Sequence, residues 1–324
     1  LDVSASAQAR VEYDIIRAPL SSEEYRAQLE AADIIALPYR SQAYFARISG
    51  VAVEALVLGK PVIYTRHTWI ARQMERFDSG IATEENPLAL VEAIDLAMED
   101  FEGLSHRAES ASVDARNYFS TESFLAGLLG ESEEGNGNEA LAGSCDLLYF
   151  LAVGEGGLVH YAANQIKALA DKGLDVVVLG YKPLERQLNT LGTKIRFHEL
   201  QEPSASDYRI IRAGNSIVST MANAVKLRRQ IRKTSPGYVL LGSFSEYWSP
   251  FWAWILKDVA RKVPFGVVTH DPVRDFVLGP GWWHRWSIRL AYSLARDVFV
   301  HSENAGLQGT EAMPVVIPHG MYLY

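Results

Sequence analysis

Asp146-Leu-Leu-Tyr-Phe-Leu-Ala-Val153 runs into Gly154-Glu-Gly-Gly157 and then into Leu158-Val-His-Tyr-Ala-Ala-Asn-Gln-Ile-Lys-Ala-Leu-Ala-Asp-Lys-Gly173. The unbroken apolar run reads as a strand buried on both faces. The glycines read as a tight turn, and the 3.6-residue period that follows predicts an amphipathic helix from about Val159 to Lys172, which Gly173 ends. Val176-Val-Val-Leu179 is the next strand. Further buried strands are expected at Ile195 to Phe197, Tyr238 to Leu241, Phe265 to Thr269, Asp297 to His301 and Val315 to Ile317. Strand and helix in alternation are the signature of an α/β fold with a parallel sheet.

Upstream lies Glu131-Ser-Glu-Glu-Gly-Asn-Gly-Asn-Glu-Ala140, acidic and without hydrophobic period, which reads as a linker. Before it the alternation resumes. A helix over Ser22 to Ala32 precedes the strand Asp33-Ile-Ile-Ala-Leu37, and a helix from about Val51 to Leu58 stops at Gly59 before the strand Pro61-Val-Ile-Tyr-Thr65. Leu88 to Met98 and Thr121 to Leu129 again repeat apolar residues at helical spacing. The expected division is therefore a domain over 1–130, a linker over 131–144 and a second domain over 145–324. The second begins at a first strand, whereas the first has at most three clear strands and starts in the middle of a domain. A start at Leu1 and an end at Tyr324, straight after the Ile317-Pro-His-Gly320 turn, predict a chain cut at both ends.

With 324 residues, 48% hydrophobic and 22% charged, the chain has apolar material for two cores, which excludes disorder over most of its length. Its 31 Lys and Arg against 39 Asp and Glu leave a net charge of -8, which argues against general nucleic-acid binding. Cys145 stands alone, so neither an internal disulfide nor a thiolate zinc site can form. No apolar run is long enough to span a bilayer, and the N-terminus has no signal-peptide pattern, so a cytoplasmic protein is expected.

Between strand and helix, Gly154 to Gly157 lets a ligand approach the backbone where the first helical N–H groups point outward, a geometry that suits phosphate. Tight strand-to-helix turns also use glycine for steric reasons alone, and the spacing is not that of the dinucleotide fingerprint. His270-Asp271 follows a strand at its carboxyl end, where open α/β sheets bind ligands. His270 there can orient a substrate hydroxyl or relay a proton, or can simply bond a loop carbonyl while Asp271 caps the next segment. His301-Ser302-Glu303 and His319-Gly320 repeat the arrangement at two more strand ends, as a site rim or as structural groups. In the first half, Ser49-Gly50 opens the helix that carries Glu54, with Arg47 just before it. These can receive an anionic ligand, or Glu54 can merely complement the helix dipole and Arg47 be a solvated cation. Six of the seven tryptophans fall in Tyr247 to Trp286. Their helical spacing makes most of them core, while the expected loop Gly279-Pro-Gly-Trp-Trp283 can present rings to a sugar face or a membrane interface. Arg228, Arg229, Arg232 and Lys233 make a solvated helix face or a contact for anionic lipid heads.

As a set these motifs resemble the GT-B fold, retaining glycosyltransferases of family 4. Gly156-Gly157-Leu-Val-His160 through Gly173-Leu-Asp-Val176, Thr269-His270-Asp271, Val300-His301-Ser302-Glu303 and Ile317-Pro318-His319-Gly320 are similar to the acceptor-side domain. Ala32-Asp-Ile-Ile-Ala-Leu-Pro38-Tyr39 and Ser49-Gly50 through Glu54 to Gly59-Lys60-Pro61-Val62 are similar to the later part of the donor-side domain, and Tyr118 to Phe124 to its closing helix. The resemblance implies two Rossmann-like domains of GT-B type, the first incomplete. It implies that Glu54 bonds the ribose of a UDP-sugar or GDP-sugar, that Arg47, Ser49, Gly50, Gly156 and Gly157 face the donor, and that His270 and Asp271 lie at the reacting sugar. His160, Ser302, Glu303, His319 and Gly320 would form the acceptor side or site rim. No metal and no prosthetic group is implied.

Two departures stand out. The family's first motif glutamate is replaced by Ala46, within the variant pattern Tyr44, Arg47, Ser49, Gly50. The donor-side piece also precedes the acceptor-side piece and lacks the opening strands that bring the Arg and Lys pair for pyrophosphate. Circular permutation and a truncated tandem both produce that order, and the ragged ends favour the tandem. The implied activity is transfer of a sugar from a nucleotide-sugar to a polysaccharide or glycolipid acceptor with retention of configuration, peripheral to the inner face of a membrane. The alternatives are a fragment that only binds nucleotide or a partner, and a nucleotide-sugar epimerase of the same fold.

Overall fold

Apolar runs punctuated by Gly, Pro and side-chain caps build two separate parallel sheets in this chain. The computed structural model describes residues 14–17, 20–130, 144–270, 280–302 and 314–320. The first helix, α1 (Ser22–Ala31), belongs to a unit of its own, and from Asp33 onward the chain forms a second unit. A capping box opens α1: the Glu24 N–H donates to Ser21 Oγ (3.2 Å) and the Ser21 N–H to Glu24 Oε2 (2.8 Å).

The second unit starts with β1 (Ile35–Leu37), α2 (Ser41–Tyr44), α3 (Gly50–Val57), β2 (Val62–Thr65), α4 (Trp69–Phe77), β3 (Gly80–Thr83), α5 (Pro87–Glu99), α6 (Phe101–Tyr118) and α7 (Thr121–Leu129). Its strands form a three-stranded parallel sheet in the order β1-β2-β3, with Ile35 opposite Val62 and Val62 opposite Gly80. Every residue of the central β2 is buried. Gly59, at φ +68°, turns the chain off α3 at a point where a Cβ would come within 3.0 Å of the Glu109 backbone, so α3 and α6 pack closely. Ser120 caps α7 through the Ser123 N–H (3.1 Å), and Phe124 and Leu125 of α7 are buried in the core of the larger sheet that follows.

That sheet is built from β4 (Leu147–Leu151), α8 (Gly157–Asp171), β5 (Val176–Gly180), α9 (Lys182–Thr190), β6 (Arg196–Glu199), α10 (Arg209–Thr234), β7 (Tyr238–Ser243), α11 (Ser249–Ala260), β8 (Phe265–Thr269), α12 (Gly281–Tyr292), β9 (Asp297–Val300) and β10 (Val315–Val316). All its pairings are parallel, in the order β10-β9-β8-β7-β4-β5-β6. Side chains alternate along β4 as strand geometry requires: Leu148 and Phe150 enter one core with α10 and α11, and Leu147, Tyr149 and Leu151 enter the other with α8. The chain winds one way from β4 to β6 and the other way from β7 to β10. The Gly154–Gly157 turn therefore leaves the sheet at its topological switch point, between β4 and β7, where doubly wound sheets open a crevice.

The fold is thus α/β with two parallel, Rossmann-like sheets, as the alternation predicts. One local expectation is corrected. Gly281, Trp282 and Trp283 are not a loop, because Pro280 stands at the N-cap and the helix α12 begins at Gly281. Gly279 and residues 131–143 of the linker lie outside the described residues.

Candidate functional site

Three histidines stand at the carboxyl edge of the seven-stranded sheet: His270 directly after β8, His301 directly after β9, and His319 past β10. Tyr161, near the start of α8, is ringed by them. Its ring centroid is 5.0 Å from His270 and 5.5 Å from His301, both edge-on, and 4.6 Å from His319, which stacks at 27°. A backbone carbonyl can only accept, so His301 Nδ1, 3.0 Å from the Ile317 oxygen, carries the proton. Nε2 is then a lone pair that accepts from the Tyr161 hydroxyl at 3.2 Å. Burial pushes His270 and His301 down to about 3, aided by the charge of His319 on the first and of His270 on the second. Burial and His301 hold His319 well below the usual histidine value. The cluster is therefore neutral at pH 7, a set of hydrogen-bonding groups that stay uncharged in a dry environment.

The first half reaches this edge through α4. Thr68 caps that helix by accepting from the Ala71 N–H (3.0 Å), which aims the buried Trp69 and the following turn. Trp69 Nε1 donates to the His301 carbonyl (2.8 Å), and the Arg72 guanidinium donates both to Ser302 Oγ (3.1 Å) and to the Phe45 carbonyl. Phe45 and Trp69 follow β1 and β2 at their carboxyl ends, while His301 and Ser302 follow β9 at its own. The carboxyl edges of the two sheets thus meet, the location where α/β sheets bind ligands.

Beside Phe45 the expected donor residues form one patch. Ala46 is buried. Ser49 accepts from the Ala52 N–H (3.3 Å) as the N-cap of α3, which Gly50 opens, and Glu54 is buried one turn in, at 8% exposure. The Arg47 guanidinium carbon lies 5.7 Å from the centre of the Tyr44 ring, which stacks on Tyr39 at 4.2 Å. Burial raises the Tyr39 hydroxyl, as does Tyr44, against the opposing effect of a hydrogen bond with Ser49. On the other sheet, Gly156 holds φ +85°, a conformation open to glycine, and Gly157 starts α8 without a side-chain cap, leaving the first amides of the helix to other acceptors.

Of the residues singled out from sequence, the structure brings together His270, His301 and His319, joins Ser302 to the first half, and groups Arg47, Ser49, Gly50 and Glu54. Gly320 follows His319 at the same edge. His160 is half-buried on α8 and takes no part in the ring cluster. Asp271 and Glu303 lie outside the described residues. Sequence reasoning missed Tyr161, Trp69 and Arg72. The signal available for Trp69 was that it is the one tryptophan far from the others, directly past a buried strand. Among the described residues no group of three His, Cys, Asp or Glu side chains is placed to hold a metal ion.

Part of the larger sheet is similar to a known family. Residues 156–307, just under half of the chain and most of the larger sheet, match the glycosyl transferase 4-like domain. None of the curated proteins matches the chain. Among solved structures, a UGT transferase from Siraitia grosvenorii in complex with UDP aligns at 15% identity and a TM-score of 0.34, over 55% of this chain and 52% of that one. This chain thus spans about half the length of that transferase.

Proposed function

We propose that the protein transfers a sugar from a nucleotide-sugar, with UDP or GDP as the leaving group, to a polysaccharide or glycolipid acceptor with retention of configuration, at the inner face of a membrane. The observation that carries this reading is the meeting of two carboxyl edges at the Tyr161 and histidine cluster, of which Tyr161, His270 and His301 fall within the segment that matches the glycosyl transferase 4-like domain. In this reading residues 1–130 hold the donor side and 145–324 the acceptor side, joined through 131–144. The Arg72 bridge favours one site formed between the two halves over two unrelated half-sites.

The residues divide the work by their chemistry. Glu54 accepts hydrogen bonds from the ribose, while Arg47 and the first amides of α3 and α8 receive the diphosphate as negative charge develops on it. His270, held neutral, bonds a sugar hydroxyl and orients the ring, and the cluster behind it fixes its position. His319, Gly320 and Ser302 border the acceptor. The catalytic gain comes from positioning and charge stabilisation, with no covalent role asked of the protein.

Calorimetric titration of the full chain with UDP and with GDP tests the donor side. One nucleotide should bind, and Glu54→Ala should abolish that binding. His270→Ala should leave nucleotide affinity unchanged while lowering kcat by roughly 10²-fold. Failure of both nucleotides to bind would overturn the reading. Nucleotide binding without turnover on any acceptor would favour a binding-only protein, and conversion of the donor sugar without acceptor an epimerase.

A further inference from the structure

Helices α11 and α12 turn an aromatic and cationic surface to solvent. Trp254 is 79% exposed, Trp282 61% and Trp286 47%. Trp254 and Trp286 line a groove of about 550 Å³ between the two helices, floored by Leu290 and Leu294, with Lys257 and Arg261 in its walls. Arg285 and Arg289 are exposed on α12 beside it. The only acid on either helix is Asp258, and Arg228 (2.9 Å) and Arg232 (2.6 Å) of α10 occupy it. Among the described residues Lys257, Arg261, Arg285 and Arg289 enter no ion pair.

A chain of net charge -8 therefore gathers, where it exposes three tryptophans, four cations without an ion pair among the described residues. Water is a poor environment for those rings, whereas a head-group layer solvates the indole N–H and takes the ring among acyl chains. A neutral glycan would stack on the rings but has no use for the cations. Anionic phospholipid satisfies both. We propose that the α11–α12 face docks on an anionic bilayer, with Trp254, Trp282 and Trp286 in the head-group layer and Lys257, Arg261, Arg285 and Arg289 against lipid phosphates. Arg228 and Arg232 are both drawn onto the single carboxylate of Asp258 and so are less available to lipid phosphates than the four cations of α11 and α12. The inference deepens the membrane contact of the reading above, but it rests on exposure and charge, and its test needs neither donor nor turnover.

The test is flotation of the full chain with vesicles of phosphatidylcholine alone and of phosphatidylcholine mixed with phosphatidylglycerol. Binding should require the anionic lipid and weaken with added salt. Each cation changed to Gln among Lys257, Arg261, Arg285 and Arg289 should lower affinity about fivefold. Trp254→Ser with Trp286→Ser should lower it further, with an unchanged far-ultraviolet spectrum because both rings are exposed. Arg229→Gln with Lys233→Gln, on α10, should leave it as it was. A second measurement needs no variant: brominated lipid should quench the native tryptophan fluorescence. Equal partition onto both vesicles, absence of binding, absence of quenching, or loss of binding through Arg229 and Lys233 alone would each overturn the assignment.

Discussion

In the three-stranded sheet only β2 has a neighbour on each side, whereas in the seven-stranded sheet every strand but β6 and β10 does. The helices show the consequence. Along α5, Leu88, Val91, Leu96 and Met98 remain more than half exposed, while α8 buries Val159, Ile166 and Leu169 together with Tyr161. A helix can bury an apolar face only against a sheet wide enough to receive it, and buried fraction rises with the size of the core. The small sheet is therefore tied to the rest through a few specific contacts, of which Trp69 and Arg72 on the end of β9 are the clearest. The large sheet, with a core on each face, carries the histidine cluster.

Acid should hit the large sheet hardest. Its three histidines are neutral when folded, with values pushed far below the ordinary 6.5, so the unfolded chain takes up protons first. Stability is then complete above pH 6.5 and falls as pH drops towards 3, by up to about 1.4 kcal/mol per pH unit for each imidazole that stays neutral. From His270 and His301 alone, the loss between pH 6.5 and 4.5 should be on the order of 5 kcal/mol, measured by urea unfolding at each pH. A stability flat over that interval would show the cluster to be hydrated. Next comes Leu148→Ala in β4, fully buried, which should cost about 2 to 5 kcal/mol. Trp69→Phe keeps an aromatic ring but removes the buried indole N–H and leaves the His301 carbonyl without its donor, at a cost of about 1 to 3 kcal/mol for the lost hydrogen bond alone. It should also separate the unfolding of the two sheets, seen as a second transition in a denaturant scan followed by circular dichroism. The smallest effect is expected for Leu96→Ala on α5, within about 0.5 kcal/mol because the side chain is already 55% exposed. A loss of several kcal/mol there would mean that this face is covered in solution.

The elements legible in the sequence are those whose signal is local. Phe265–Thr269 and Thr121–Leu129 are found at their expected bounds, because an apolar run stops at a polar turn and a Ser cap meets a Gly stop. The strand Gly80–Thr83 and the helix Phe101–Tyr118 escaped. The first is short and only half-buried, and the second buries small residues, Ala108, Ala111 and Ala115, which carry little hydrophobic contrast. The helix Trp69–Phe77 is framed by His67 and Asp78, both at positive φ, a backbone feature that composition does not announce. The histidines could be placed on a rim because strand ends could be placed. Tyr161 and Arg72 could not, since each joins that rim only through packing between elements distant in sequence.

Cys145 gives the large sheet a built-in clock. It is 2% exposed just before β4, its carbonyl accepts from the Gly237 N–H (3.1 Å), and burial pushes its thiol above the usual range. No other thiol exists in the chain. An alkylating reagent can therefore report only those moments when the β4 end of the core parts, so the labelling rate at increasing urea reads the opening of that one region while the small sheet stays chemically silent.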